Sequence, residues 1–174
     1  YYEGMAAYQH RNWPQALAEL ESMGLLRHVI TQNIDGLHHK AGSQNVTEIH
    51  GSLRDIRCVS CGRDYRAPHI PEGTPPRCEC GGVLKPDTVL FGESLPAQAL
   101  ETAWREAGGS GVMLVIGTSA VVQPAASLPI IAKEHGAALV EVNIERAFSN
   151  ADYFLEGRAG TVLPVLISEV RKQR

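Results

Sequence analysis

Apolar residues recur along the chain with two different periods, one typical of helices and one typical of buried strands. The first helical period includes Leu17 and Leu20 and ends at Gly24, and the sequence Asn12-Trp13-Pro14-Gln15 before it is typical of a helix start. Helical spacing returns in residues 100–107, which are followed by Gly108, and again in 124–135 and 163–170. These four segments predict the helices of the fold.

Short apolar runs between the helices predict strands. The run 112–116 is uninterrupted, which is typical of a strand buried on both faces. Residues 28–34 and 139–143 predict two further strands, and 152–155 predicts a short one. We expect residues 36–57 to be rich in loops, and the density of proline and glycine between 68 and 86 predicts an insertion with little regular structure.

Helices and strands alternate on both sides of this insertion. Such an order predicts an α/β fold, with a doubly wound parallel sheet and a small inserted module. We expect the module to span 54–84 and the sheet to be built from 1–53 and 85–174. The carboxyl ends of the strands are then the expected place for a ligand.

Composition narrows the class of protein without changing this fold. The chain has 174 residues, of which 44% are apolar and 20% charged, as in globular proteins of one domain or of one large and one small domain. Sixteen basic and nineteen acidic residues give a net charge of -3, which disfavours nucleic acid as the main partner. No run of 18 apolar residues is present, so we expect no membrane span. The chain starts at Tyr1 and has no signal-peptide pattern, which predicts a cytoplasmic protein truncated at its N-terminus.

The four cysteines form the strongest local motif of the sequence. Their pattern is Cys58-x2-Cys61-x16-Cys78-x1-Cys80, within one loop-rich segment. Four thiolates at this spacing are typical of one structural, tetrahedral Zn²⁺ with no open position for catalysis. Their clustering also indicates a reducing compartment, because disulfides usually join distant parts of a chain. The alternative is four unrelated thiols.

Polar residues follow three of the predicted strands, and each group has a plainer alternative. The groups are Gln32-Asn33-Ile34-Asp35, Gly117-Thr118-Ser119 and Asn143-Ile144-Glu145. The first suits an amide-bearing ligand but could be an Asn/Asp turn before Gly36. The second lets backbone N–H groups approach a phosphate, helped by a helix beginning near Pro124, yet many strand-to-helix turns look alike. The third has an acid that could bind ribose hydroxyls or simply be solvated.

One histidine is a candidate general base. His50 ends the stretch Glu48-Ile49-His50-Gly51-Ser52 and precedes a glycine, so it can be held at the edge of a cleft. A neutral imidazole is the natural base near pH 7. The alternative is a structural histidine, as we expect for most of the other six.

The first phosphate-binding loop of a dinucleotide fold is not found in the sequence. No Gly-x-Gly-x-x-Gly is present, and Gly108-Gly109-Ser110-Gly111 precedes a strand instead of following one. We therefore expect a Rossmann-like sheet that lacks its first phosphate-loop strand.

Taken together, these motifs resemble the sirtuin family of NAD-dependent protein lysine deacylases, in particular its compact prokaryotic branch. The resemblance runs from about Ala16 to the C-terminus. It rests on the order of the four cysteines and five short motifs: Thr-Gln-Asn-Ile-Asp-Gly-Leu-His (31–38), Glu-Ile-His-Gly-Ser (48–52), Leu-Lys-Pro-Asp-Thr-Val-Leu-Phe-Gly-Glu (84–93), Gly-Thr-Ser (117–119) and Val-Asn-Ile-Glu (142–145).

The resemblance implies a role for each candidate residue. The catalytic residues would be His50 as the general base, Asn33 and Asp35, and Zn²⁺ would be structural. Residues Gln32, Asn33, Ile34 and Asp35 would line the nicotinamide and its ribose, Gly117, Thr118 and Ser119 the phosphates, Asn143, Ile144 and Glu145 the adenosine ribose, and Ala159 the adenine. The segment Val89, Leu90, Phe91 and Gly92 would be extended and would bind the acyl-lysine peptide by strand addition; a core strand is the alternative.

The implied reaction uses NAD as co-substrate. The acyl-lysine carbonyl oxygen attacks the ribose as nicotinamide leaves, and His50 helps to deprotonate a ribose hydroxyl, so that free lysine and O-acyl-ADP-ribose result. The family's Gly-Ala-Gly-x-Ser loop, with the Arg and Phe after it, is absent, so we expect this chain alone to be inactive. The alternatives are ADP-ribosyl transfer, NAD hydrolysis, or a non-catalytic zinc-ribbon binding module.

Overall fold

Three small sheets and five α-helices make up the part of the chain that the computed structural model describes, residues 13–65 and 70–173. The helices are α1 (Trp13–Ser22), α2 (Leu37–Lys40), α3 (Ala97–Gly108), α4 (Leu128–Glu134) and α5 (Ala159–Lys172). The strands are β1 (Val29–Thr31), β2 (Val46–Glu48), β3 (Gly51–Cys58), β4 (Asp64–Tyr65), β5 (Leu84–Thr88), β6 (Val112–Ile116), β7 (Ala138–Asn143) and β8 (Tyr153–Glu156). Asn12, expected at a helix start, lies outside the described residues.

Two of the sheets are parallel, which confirms the predicted α/β class. Strand β1 pairs with β2, and β6, β7 and β8 pair in that order. The third sheet is antiparallel, in the order β4-β3-β5, and it includes the cysteine segment. Parallel strands need crossover connections. Helices α2 and α4 lie in the connections after β1 and β6, whereas residues 144–152 join β7 to β8 without a helix.

Helices cover both faces of the β6-β7-β8 sheet. On one face, α1 and α5 bury Leu17 and Leu163 against Val142 of β7. On the other face, Leu139 packs with Val115 and Phe148, and a further cluster joins α3 to α4. Because successive strand residues point to opposite faces, one strand anchors both layers.

The prediction that residues 36–57 are mostly loop is wrong, because Gly51–Cys58 is an eight-residue strand. Its sequence, Gly-Ser-Leu-Arg-Asp-Ile-Arg-Cys, has no apolar run. The strand forms because β4 and β5 pair with its two edges, and β5 lies beyond all four cysteines in the sequence.

The prediction that the run 112–116 is buried on both faces is also wrong. Val112 is 64% exposed and Val115 alone of the five is buried. Among the described strands, β6 pairs only with β7, so its other edge lies open beside a cleft. An apolar run identifies the strand but not the neighbours that would bury it.

We expect Gly51→Ala to lower the melting temperature more than Gly62→Ala. Both glycines have positive φ, 75° and 72°, so each alanine meets the same left-handed strain of about 1–2 kcal/mol. At Gly51 the added Cβ would also overlap the carbonyl oxygen of Asp87 on β5, whereas at Gly62 it would meet no atom within 4 Å. Thermal unfolding followed by circular dichroism measures both shifts. Equal decreases in melting temperature would show that β3 and β5 move apart at Gly51 without loss of stability.

Candidate functional site

A cleft of about 850 Å³ lies between the open edges of β1 and β6. Its middle is lined by the two strands, and its polar end by residues that follow them. Six of the residues singled out in the sequence line it: Gln32, Asn33, Gly117, Thr118, Ser119 and Ala159. The ends of two strands and the start of α5 therefore meet there, as expected at the carboxyl edge of a parallel sheet.

His50 lies in the turn between β2 and β3, half-buried beside the fully buried Ile49. Its Nδ1 is 3.2 Å from the carbonyl oxygen of Gln32. A carbonyl only accepts, so Nδ1–H must donate, and this fixes the proton away from Nε2. The backbone N–H of Val89 donates to the carbonyl of His50 at 2.9 Å. The imidazole is thus oriented by one hydrogen bond through Nδ1, the His50 backbone is held by Val89, and Nε2 is left to accept a proton.

The loop after β1 is held by hydrogen bonds of its own. The backbone N–H of Leu37 donates to Oδ1 of Asp35 at 3.0 Å, and that of Leu53 donates to the carbonyl of Ile34 at 3.0 Å. Asp35 therefore has the turn-forming contact that the plainer alternative predicted, at the start of α2. Asn33 is exposed to the solvent at the mouth of the cleft.

The turn after β6 has its backbone open toward the cleft. Gly117 has a φ of 58°, and a Cβ at this position would meet no atom within 4 Å. Asn143 donates from Nδ2 to the carbonyl oxygen of Thr118 at 2.8 Å, so this turn is joined to the end of β7. The helix expected from Pro124 begins instead with a 3₁₀ turn, Ala125–Ser127, ahead of α4.

The residues expected to bind the adenosine ribose, Asn143, Ile144 and Glu145, lie next to the cleft and do not line it. Ile144 is 63% exposed and Glu145 is exposed too. The N–H of Ile144 donates to Oδ1 of Asn143 at 3.0 Å. These three residues are therefore connected to the cleft by the hydrogen bond from Asn143 to Thr118, which lines it.

The segment Val89–Gly92 differs from its prediction. Strand β5 ends at Thr88, and a turn closed by a 2.9 Å hydrogen bond from Glu93 N–H to the Leu90 carbonyl includes Phe91 and Gly92. Gly92 has a φ of 89°, which an extended strand does not have. The prediction of an extended segment is therefore wrong at Phe91 and Gly92. The core-strand alternative is wrong as well, because Leu90 and Phe91 are 59% and 102% exposed.

The four cysteine sulfurs converge on one point. The Sγ atoms of Cys58 and Cys80 are 3.5 Å apart, those of Cys61 and Cys78 are 3.6 Å apart, and all four lie within 4.8 Å of one another. Tetrahedral Zn–S bonds of about 2.3 Å separate their sulfurs by about 3.8 Å. The donor set and its spacing thus fit the predicted zinc ion.

Neighbouring groups shift the pKa values of Cys78 and Cys80 in opposite directions. The hydroxyl of Tyr65 donates to Sγ of Cys78 at 3.1 Å and lowers the pKa of that thiol to about 6, which favours thiolate. The backbone N–H of Gly82 lowers the pKa of Cys80, but the three other sulfurs crowd it and raise it to about 12. A Cβ on Gly82 would lie 2.6 Å from Sγ of Cys58, so only glycine fits there.

Sequence reasoning missed Glu141, a fully buried acid in β7. The sequence signal that could have identified Glu141 is its position inside the apolar run Leu-Val-Glu-Val, where an acid is not expected without a partner. The neighbouring histidines His38 and His39, by contrast, belong to no cluster of metal ligands in the described part of the chain. His38 is buried edge-on against Trp13, with burial lowering its pKa, and His39 faces Glu48 at 3.7 Å.

The comparisons with known proteins agree with this arrangement. The family model described as "Sir2 family" matches residues 3–124, more than half of the chain. The chain belongs to the Sir2 family. The NAD-dependent protein deacylase 2 of Pyrobaculum aerophilum is 53% identical over 161 residues, and the NAD-dependent protein deacylase 1 of Archaeoglobus fulgidus is 49% identical over 162. Each match covers 91% of this chain.

Solved structures of the Sir2 family share the fold. A Sir2 homologue in complex with NAD superposes with a TM-score of 0.89 at 48% identity, covering 95% of this chain and 66% of the other. A Sir2 complex with a p53 peptide and NAD⁺ gives 0.85 at 35% identity, covering 92% and 70%. The predicted family and α/β class are thereby confirmed.

The Sir2 chain is shorter than the relatives it matches. It spans 65% and 66% of the length of the Pyrobaculum and Archaeoglobus proteins. Among the residues described, there is no helix with the length and apolar character needed to cross a membrane.

Proposed function

We propose that this Sir2-family protein removes acyl groups, such as acetyl, from protein lysines in an NAD-dependent reaction. The observation that carries the proposal is His50, which is held through Nδ1–H with Nε2 free, next to a cleft lined by the ends of β1 and β6. The relatives named as NAD-dependent protein deacylases and the NAD complex of a Sir2 homologue support it.

NAD is the co-substrate in this proposal, and the cleft suits it. The volume of about 850 Å³ falls within the range of small-molecule sites, about 300–1,000 Å³. Gly117, without a side chain and with positive φ, leaves room for a phosphate to approach the backbone beside Ser119. Gln32 and Asn33 at the opposite strand end would take the nicotinamide side, and Ala159 the adenine.

The chain's own residues would act on position and on one proton. Bound NAD supplies the ribose carbon that the acyl-lysine oxygen attacks as nicotinamide departs. Nε2 of His50 would then take the proton of a ribose hydroxyl, while Gln32 keeps the imidazole in the required tautomer. An acyl-lysine peptide would lie along Val89 and Leu90, and the backbone N–H of Val89 donates to the carbonyl of His50. The Sir2 structure with a p53 peptide and NAD⁺ supports a peptide as substrate.

We propose further that the cleft between β1 and β6 holds one more parallel strand, the expected phosphate-loop strand. Val29 and Thr31 bond toward β2, so the backbone groups of Ile30 face the cleft. Gly111 and Gly117 bond toward β7, so the groups of Leu114 face it from the other side. Unpaired backbone groups on two facing edges favour a strand that would join both parallel sheets.

The zinc module is proposed to be structural, because four thiolates leave no open coordination position. Reduced cysteines fit the proposed cytoplasmic location. The predicted division into 1–53, 54–84 and 85–174 stays a prediction.

The test is release of nicotinamide from NAD, with and without an acetyl-lysine peptide. We expect the chain of 174 residues to be silent, and a chimera carrying the part of the Pyrobaculum relative that precedes the matched region to release nicotinamide only with the peptide. Release without peptide would indicate NAD hydrolysis, and ADP-ribose attached to protein would indicate transfer. A silent, folded chimera that still holds zinc would favour the binding-module alternative, and full activity of the short chain would contradict the added strand.

A further inference from the structure

Glu141 is a charged residue in the middle of the core, and the proposed reaction gives it no task. It is fully buried in β7 between Val140 and Val142, on the strand that joins the two helical layers. A buried carboxylate is costly unless hydrogen bonds replace its water. A carboxylate at this position in an apolar strand therefore requires hydrogen-bond donors inside the protein.

The partners of Glu141 are backbone groups of the turn that follows β7. The N–H of Ala147 donates to Oε1 at 2.6 Å, and the N–H of Phe148 donates to Oε2 at 3.2 Å. Phe148 is itself buried against Val115 and Leu139. The carboxylate thus fixes the far end of the turn that starts with Asn143 and Ile144.

A third donor connects this carboxylate to the other strand end. Asn143 donates from Nδ2 to Oε1 of Glu141 at 3.3 Å and to the carbonyl of Thr118 at 2.8 Å. The two N–H groups of the amide are therefore both engaged by the protein, and no amide proton of Asn143 remains for a ligand. Its oxygen accepts the N–H of Ile144.

We propose that Glu141 is a positioning residue for the dinucleotide. Through Asn143 it locks the turn of Thr118, which lines the cleft, to the turn of Ile144 and Glu145, which flanks it. The inference rests on the proposed function, since NAD would be the ligand of both turns. Asn143 then acts as the link between the turns and not as a ribose donor, which differs from the role implied by the resemblance.

The matched control is Asp152, a second carboxylate that braces β7. The N–H of Leu139 donates to its Oδ2 at 2.7 Å, and Lys133 pairs with its Oδ1. These contacts are at the opposite end of β7 from the two turns. Asp152→Asn therefore removes a comparable support without touching either turn.

The experiment compares Glu141→Ala, Glu141→Gln and Asp152→Asn by amide hydrogen exchange on the chain of 174 residues and by steady-state kinetics on the active chimera. We expect Glu141→Ala to speed exchange at Ala147, Phe148 and Ala120, whose N–H donates to Oγ1 of Thr118, and to raise KM for NAD about tenfold with kcat and peptide KM within twofold. Glu141→Gln, which keeps one acceptor oxygen, should lie between wild type and Glu141→Ala. Asp152→Asn should leave KM for NAD and exchange at Ala120 unchanged.

Two results would overturn the inference. One is unchanged exchange at Ala120 in Glu141→Ala, which would mean that the turns are not coupled. The other is an equal rise in KM for NAD in Asp152→Asn, which would make Glu141 merely structural. A chimera without activity would count against the proposed function, and hydrogen exchange would still decide whether Glu141 couples the turns.

Discussion

Replacing His50 with alanine is expected to reduce peptide-dependent turnover of NAD by about 10²–10⁴, the usual contribution of a general base. The proton acceptor Nε2 is lost, whereas the residues that line the cleft stay in place. The KM for NAD should therefore change little, because His50 does not contribute to the lining. Nicotinamide release by the active chimera, measured across a range of NAD and acetyl-peptide concentrations, separates the two effects.

His39→Ala is the control for this substitution. His39 is also a partly exposed histidine in the same region, and it faces Glu48 at 3.7 Å instead of the cleft. Its removal should leave turnover within about twofold. If both variants retained activity, His50 would be a structural histidine, as its plainer interpretation holds. If both lost activity together with a lower melting temperature, the effect would be one of folding.

The parts of the site that could be predicted from sequence are those in which local chemistry fixes the position. Four cysteines at metal spacing form one cluster whatever surrounds them. Gln32 and Gly117 directly follow two apolar runs, and the carboxyl ends of parallel strands are where ligands bind in such sheets. His50 was recognisable because a glycine follows it, and the structure shows why: Gly51 must pass against Asp87.

The parts that could not be predicted depend on pairings and hydrogen bonds that the pattern of residue types does not reveal. Strand β3 has a polar sequence and forms only through its pairing with β4 and β5. The open edge of β6 could not be inferred from an apolar run, which predicts burial but not a neighbour. Glu141 looks like an anomaly until the backbone groups of Ala147 and Phe148 are seen to surround it. The turn at Phe91 likewise depends on Glu93 closing back on Leu90.

Replacing Cys78 with serine is expected to reduce bound zinc from one ion per chain to near zero and to unfold the sheet β4-β3-β5. The Tyr65 hydroxyl lowers the pKa of the Cys78 thiol, which is buried in the module with Cys58 and Leu84 as neighbours. Metal binding supplies folding free energy in small modules of this kind, since their apolar core is too small to hold them alone. Zinc by mass spectrometry and thermal unfolding, with and without a chelator, measure the loss.

Tyr65→Phe is the matched control, because it removes the hydroxyl that donates to Cys78 but none of the four ligands. It should retain one zinc ion and lose it to a competing chelator at a lower concentration than wild type, since the thiolate is less favoured. The strands β6 to β8 should keep their exchange protection in both variants, because their core clusters contain no residue of the module. A Cys78→Ser variant with full zinc and an unchanged melting curve would contradict the four-thiolate site. Loss of His50 function in that variant, by contrast, is an expected consequence, because β3 begins one residue after His50 and its pairing with β5 holds the Val89 contact to the His50 backbone.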